Sequence, residues 1–216
     1  MTMTLRSRQL SWLADKLSGS SLTEVTEKIL VDFYGGVEEF SGDLERLEDV
    51  DFQHILLLSR ETPTHYKWHI CTAPDKSFSI WLHEYKPRAT RSGGYAQTIH
   101  NHRYPMSALL LAGGYRYTQL TVHVGKDQRA SVKTVSSQLV SGGSIYSMQD
   151  RDFHSVTEMQ DGTVSLIIQG RPLRPFSISV DAESRRVFYH VPIEGRIENL
   201  RSTLTVTGRR SYRVQK

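Results

Sequence analysis

Apolar residues recur at helical spacing over the first fifty residues. Leu10, Leu13 and Leu17 fall at i, i+3 and i+7 on one helix face, and Leu22, Val25, Ile29 and Phe33 form a second stripe. Ser21 and Glu24 frame the start of that stripe as a capping box, in which each side chain accepts from a backbone N–H that the first helical turn leaves unpaired. Gly35 and Gly36 supply its stop. A third short helix is expected at Leu44–Leu47.

From Phe52 onward, short runs of β-branched and aromatic residues alternate with Gly, Pro, Asp and Ser. Strands are expected at Gln53–Leu58, Tyr66–Thr72, Phe78–Tyr85, Ala96–His102, Ala108–Leu111, Tyr115–Val124, Ser131–Val135, Gly143–Met148, His154–Met159, Val164–Gln169, Phe176–Val180 and Val187–Val191. Ala73–Lys76 and Gly125–Gln128 suit hairpin connections. Many short strands without helices between them point to a sandwich or barrel. The pattern predicts a mainly β protein of one domain over residues 1–216. Residues 1–51 form a helical N-terminal cap packed on a β-barrel of residues 52–216.

Composition narrows the class. The chain has 216 residues, 38% hydrophobic and 23% charged, as in a soluble globular protein. Its longest apolar run, Ala108–Ala112, is far too short to span a bilayer. The first residues lack the apolar core of a secretory signal. Cys71 is the single cysteine, which excludes an internal disulfide and a multi-thiolate zinc site. A cytoplasmic location is expected.

The net charge of +4 is unevenly spread. Glu24–Asp51 carries ten acidic and two basic residues, and Arg185–Lys216 eight basic and two acidic. A basic end can bind nucleic acid, but here Val187, Tyr189, Val191, Leu204 and Val206 are interspersed, which reads as strand. The two ends are better read as complementing each other, within the molecule or across a homodimer. No nucleic-acid or membrane partner is expected.

Nine histidines are present. His54, His65, His69, His83, His123 and His190 each stand alone in a strand-like run and read as ordinary packed or surface residues. His100 and His102 differ. On a strand, residues i and i+2 face the same way, so both imidazoles can reach one ion while Asn101 points away. Gly94 lies six residues before His100, and Gly114 twelve after His102. His154 follows a hairpin-sized gap after Gly142 and Gly143.

This arrangement resembles the cupin superfamily. Its first motif is G, five residues, HxH, three or four residues, E, six residues, G; Gly94, His100, His102 and Gly114 hold those places. Its second is G, five residues, PxG, two residues, H, three residues, N; Gly143 and His154 match. The resemblance covers roughly residues 97–169. It implies a jelly-roll-like double-stranded β-helix with a metal held by His100, His102 and His154. Ser107 stands where the motif has its glutamate, and Gln149, Arg151 and Glu158 replace the proline, glycine and asparagine. Three histidines without a glutamate are similar to the cysteine-dioxygenase-like branch. That branch carries Ser-x-His-x-Tyr on a late strand, whereas residues 165–169 here keep Ser165 but have Ile167 and Gln169. Scaffold and ligands therefore carry over, and the thiol-oxidising apparatus does not.

The resemblance implies a non-haem iron enzyme, an oxygenase or dioxygenase using Fe(II) and O2 on a small polar, carboxylate-bearing substrate. Imidazole donors also suit zinc, nickel, copper and manganese. Ser107 is expected to line the pocket. Arg103, with Arg116, Arg151 and Arg171, is a candidate carboxylate clamp. Tyr117, with Tyr104 and Tyr115, is a candidate hydrogen-bond donor to substrate or oxygen. Strand parity turns Trp81 and His83 towards the cavity. Two alternatives stand beside this reading: a metal-dependent isomerase, epimerase or lyase, and a cupin that binds a small molecule without turning it over.

Overall fold

The computed structural model describes residues 8–17, 25–45 and 49–192. Among the described residues, four helices come first: α1 (Arg8–Leu17), α2 (Val25–Tyr34), α3 (Val37–Glu45) and α4 (Asp49–Leu58). Twelve strands follow: β1 (Arg60–Glu61), β2 (His65–Thr72), β3 (Phe78–Tyr85), β4 (Ile99–His100), β5 (Met106–Ala112), β6 (Gly114–Val124), β7 (Ala130–Ser141), β8 (Ile145–Met148), β9 (Phe153–Thr157), β10 (Val164–Gly170), β11 (Ser177–Val180) and β12 (Val187–His190). They form two antiparallel six-stranded sheets, β1-β2-β3-β10-β5-β8 and β12-β11-β4-β9-β6-β7. From β3 to β10 the chain passes back and forth between the sheets, with only the β6–β7 hairpin staying in one. That order is a jelly roll, the double-stranded β-helix expected from the resemblance.

The two sheets have different surroundings, and the sequence reflects it. Helices cover the outer face of the first sheet: Leu13, Leu17, Leu30, Phe33 and Phe40 form one cluster with Ile70, Phe78, Ile80, Leu109, Leu166 and Ile168. Its inner face buries Trp81, Met106, Ala108, Met148 and Ile167. With both faces covered, β5 is buried from Met106 through Leu110, and Ser107 alone interrupts an apolar sequence. The outer face of the second sheet is solvated, and β7 is exposed along most of its length.

The structure corrects three expected elements. Residues 53–58 belong to helix α4, not to a strand. Ile55 joins the helical core while Leu56, Leu57 and Leu58 are 51%, 77% and 53% exposed. The run is apolar but has no period of two, and leucine is a good helix former. The third helix, Val37–Glu45, starts well before the one expected at Leu44–Leu47, whose last two residues lie outside the described residues; Phe40 anchors it, 5.3 Å from the Phe33 ring. The strand expected at Ala96–His102 is reduced to the two residues of β4 after a short 3-10 turn at Tyr95–Gln97. The Ser21–Glu24 capping box and the basic end beyond residue 192 lie outside the described residues. Among those described, no helix is long and apolar enough to cross a membrane.

Candidate metal centre

His100 lies on β4, paired with Ser179 of β11 on one side and His154 of β9 on the other. β4 ends there, so a continuing strand does not place His102. Asn101 does. It is fully buried. Its side-chain oxygen accepts from Ile178 N at 2.7 Å, and its amide donates to the Asp150 carbonyl at 3.1 Å. Pinned in this way, Asn101 points away and delivers His102 to the same side as His100.

The three imidazoles meet. His154 Nε2 lies 3.0 Å from both His100 Nε2 and His102 Nε2, and a donor atom of each ring falls within 4.8 Å of the others. Two imidazole nitrogens bound at right angles to one ion at about 2.1 Å stand roughly 3 Å apart, so the spacing suits a shared metal. Hydrogen bonding alone does not satisfy the group. His100 donates its Nδ1–H to the Thr98 carbonyl at 3.0 Å, so the neutral ring offers only a lone pair at Nε2. A single proton on His154 Nε2 serves one contact and leaves the other unmade. The Thr98 contact is the carbonyl partner a ligating histidine needs to fix its tautomer. Tyr95 packs against His100 at 4.2 Å between ring centroids, and Tyr104 stacks on His102 at 5.5 Å.

Burial keeps these rings neutral, as ligation requires. It pushes the pKa of His100 down to about 4. His102 and His154 are held well below the ordinary value by burial first and by neighbouring imidazoles second. His65 is pushed down to about 3, again chiefly by burial. Linkage then sets a pH dependence for the metal-free protein. The unfolded chain binds protons on these imidazoles near 6.5, and the folded chain only near 4 for His100 and 3 for His65. Below 6.5 the unfolded state holds more protons, so stability falls as pH falls, by about 1.4 kcal/mol per pH unit per imidazole. Urea midpoints measured between pH 7 and 4.5 should decline steadily, and a flat profile contradicts the burial of neutral imidazoles.

The triad opens on a cavity of about 510 Å³ between the sheets. Arg60, Lys67, Arg103 and five histidines line it, and no aspartate or glutamate does. Of the residues singled out in the sequence, Arg103, Tyr104, Trp81 and His83 face this space. Tyr117 is buried behind the triad, 5.5 Å from the His154 ring and 4.2 Å from Tyr146, and is not among the lining residues. Tyr115 is buried with its hydroxyl 2.8 Å from that of Tyr146. Ser107 does not line the cavity; its Oγ lies 2.8 Å from Ser147 Oγ. Met106 lines it instead. The motif allows three or four residues after HxH, and one residue reverses the facing of a strand; the shorter spacing lands on Met106.

Arg116 pairs with Glu158 at 2.7 Å on the surface, Arg171 donates to the Asp75 carbonyl, and Arg151 is exposed; none lines the cavity. Glu158, taken up by Arg116, and exposed Gln149 do not line the cavity either. His65 and Lys67 are wall residues that the sequence did not mark out. The available signal was a period of two: Trp81, His83 and Tyr85 line the cavity from a strand whose Phe78, Ile80 and Leu82 join the core under the helices. Polar residues on the inward positions of a doubly covered strand indicate a cavity.

No family model and no curated protein matches the chain. Among solved structures it overlays on oxalate decarboxylase from Bacillus subtilis at pH 4.6, with 17% identity and a TM-score of 0.37, covering 66% of this chain and 34% of that one. The Lactobacillus farciminis oxalate decarboxylase formate complex gives 16% identity and a TM-score of 0.37, covering 66% and 38%. KdgF from Halomonas sp. gives 10% identity and a TM-score of 0.37, covering 52% and 87%. The chain thus spans about a third of the two oxalate decarboxylase chains. At this overlap the likeness adds nothing to the fold read from the strand order.

Proposed function

We propose that this chain is a metal-dependent enzyme of the cupin type: a non-haem iron oxygenase acting with O2 on a small polar substrate that bears a carboxylate. The observation that carries the reading is His154 Nε2 at 3.0 Å from the Nε2 atoms of both His100 and His102, at the wall of a cavity of about 510 Å³. His100, His102 and His154 would hold iron(II), which when bound would supply the oxygen chemistry that side chains lack.

The chain's own residues bind, orient and shield. Thr98 holds His100 with its lone pair turned to the site, and Tyr95 and Tyr104 restrict the His100 and His102 rings. Tyr117 acts through His154 as a positioning residue. Arg103 offers a two-pronged donor to a carboxylate. Trp81, Met106, Val156 and Ile167 give the cavity apolar walls, which exclude water once substrate fills it.

Protein purified without chelator should contain iron and consume O2 when offered one of a panel of small carboxylates. The checks are elemental analysis and an oxygen electrode. Firmly held zinc or nickel without oxygen uptake contradicts the oxygenase and favours a metal-dependent isomerase or lyase.

A further inference from the structure

Across the cavity from the triad, β2 and β3 present a second polar cluster. Lys67 on β2 is the cross-strand neighbour of His83 on β3, and His65 that of Tyr85. The His65 and His83 rings are 4.5 Å apart between centroids. Thr64 Oγ1 lies 2.8 Å from His65 Nδ1. When that hydroxyl donates, the His65 proton resides on Nε2, which becomes a donor. Both His65 Nε2 and His83 Nε2 are buried and have no partner among the described residues. Lys67 extends its ammonium over the Trp81 ring, 5.1 Å from the centroid. No described carboxylate pairs with it.

Buried polar atoms without partners are uncommon, and a buried cation without a counter-charge is costly. Two unpartnered imidazole nitrogens on one wall, beside a half-buried ammonium with no described carboxylate, mark a place where a ligand completes the bonding. A second metal ion does not suit it, because Lys67 repels a cation and the cavity offers no carboxylate to neutralise one. An oxyanion does suit it: the ammonium supplies charge and donors, and an imidazole Nε2–H supplies a directed donor.

We propose that His65, Lys67 and His83 form an oxyanion-binding wall that receives the charged end of a small ligand whose other end faces the three-histidine centre. This deepens the proposed function and rests on it only for what lies at the far end. The wall itself is tested without metal. Thr62 and Thr64 act as positioning residues for His65. Carboxylate and phosphate share the required chemistry, and the probes separate them.

The experiment is calorimetric titration of the metal-free protein with acetate, succinate and inorganic phosphate, repeated on K67M and K67R, with melting temperatures and metal content alongside. Wild type should bind at least one of these anions and melt higher in its presence. K67M should bind it at least tenfold more weakly, K67R should keep most of the affinity, and both should take up metal as wild type does. In K67M without anion, the melting temperature should hold or rise, because a half-buried charge without a carboxylate partner has gone. Tighter succinate than phosphate identifies a carboxylate ligand, and the reverse a phosphate. Unchanged anion affinity in folded K67M overturns the proposal, as does failure of wild type to bind any of the three. A wild type that binds anions but holds no metal upholds the wall and sinks the metal-centre reading.

Discussion

Replacing His154 with alanine should strip the protein of its metal while leaving it folded. His154 is the hub of the triad, since its Nε2 alone approaches both other Nε2 atoms at 3.0 Å. Losing a partner that merely orients a ligand weakens metal sites by about 10- to 100-fold, and loss of a ligand should exceed that. The fold should tolerate the change. His154 Nδ1 is buried without a partner among the described residues, so truncation removes an unsatisfied group as well as packing. The backbone pairing of β9 with β6 runs from Phe153 to Thr157 and does not depend on the side chain. Elemental analysis with circular-dichroism melts checks both halves. Full metal occupancy in H154A shows that another residue is the third ligand, and a variant that is unfolded at room temperature contradicts the structural half.

The largest effect on stability should come from Gly113→Ala, in the turn from β5 to β6. Gly113 has φ +67°, a left-handed conformation that costs an alanine about 1–2 kcal/mol. A Cβ there would stand 2.4 Å from Thr163 Oγ1 and 2.6 Å from Thr163 Cα, so rotating a side chain does not relieve the clash. Overpacking of this kind adds about 1–3 kcal/mol. Thr163 Oγ1 also accepts from Gly114 N at 3.0 Å and bonds to the Gln160 carbonyl at 2.8 Å, so its displacement disturbs the return to β10. Urea unfolding should show a loss of about 2–5 kcal/mol. A change within about 0.5 kcal/mol, the range of a bland surface substitution, contradicts this account of the turn.

That turn also shows why part of the fold is legible in the sequence. Gly114, the glycine that closes the first motif, has φ outside the left-handed region, but a Cβ on it would stand 2.6 Å from the Val140 carbonyl. The motif glycine is needed there for close approach of β6 to β7, a local constraint that spacing records. In the second sheet β6, β9, β11 and β12 are legible because one face is solvated and their polar and apolar residues tend to alternate, whereas β7, expected at Ser131–Val135, runs on to Ser141 with almost every residue after Ala130 exposed. Phe78–Tyr85 has the expected bounds because glycine-free apolar positions alternate between the helical core and the cavity. The run at 53–58 is not legible in the same way. Apolar residues without a period fit a buried strand or a helix equally, and packing with α1–α3 through Ile55 decides for the helix.

The candidate site divides along similar lines. His100, His102 and His154 are found by spacing, although the strand-parity reasoning for His102 reaches the right neighbourhood by the wrong device: Asn101, not a continuing strand, turns the chain. Ser107 was placed by counting along a motif with two permitted spacings, and one residue of ambiguity is enough to reverse the facing of a side chain. His65, Lys67 and His83 require the register of β2 against β3, which brings residues sixteen or more positions apart side by side. Nothing in a single sequence states that register.

Anomalous difference density from crystals of the metal-loaded protein, recorded on both sides of the absorption edge of the bound ion, tests the metal centre most directly. One peak within bonding distance of the Nε2 atoms of His100, His102 and His154 is the predicted result. A protein that takes up metal but shows its peak elsewhere, or a triad with no peak after loading, contradicts it.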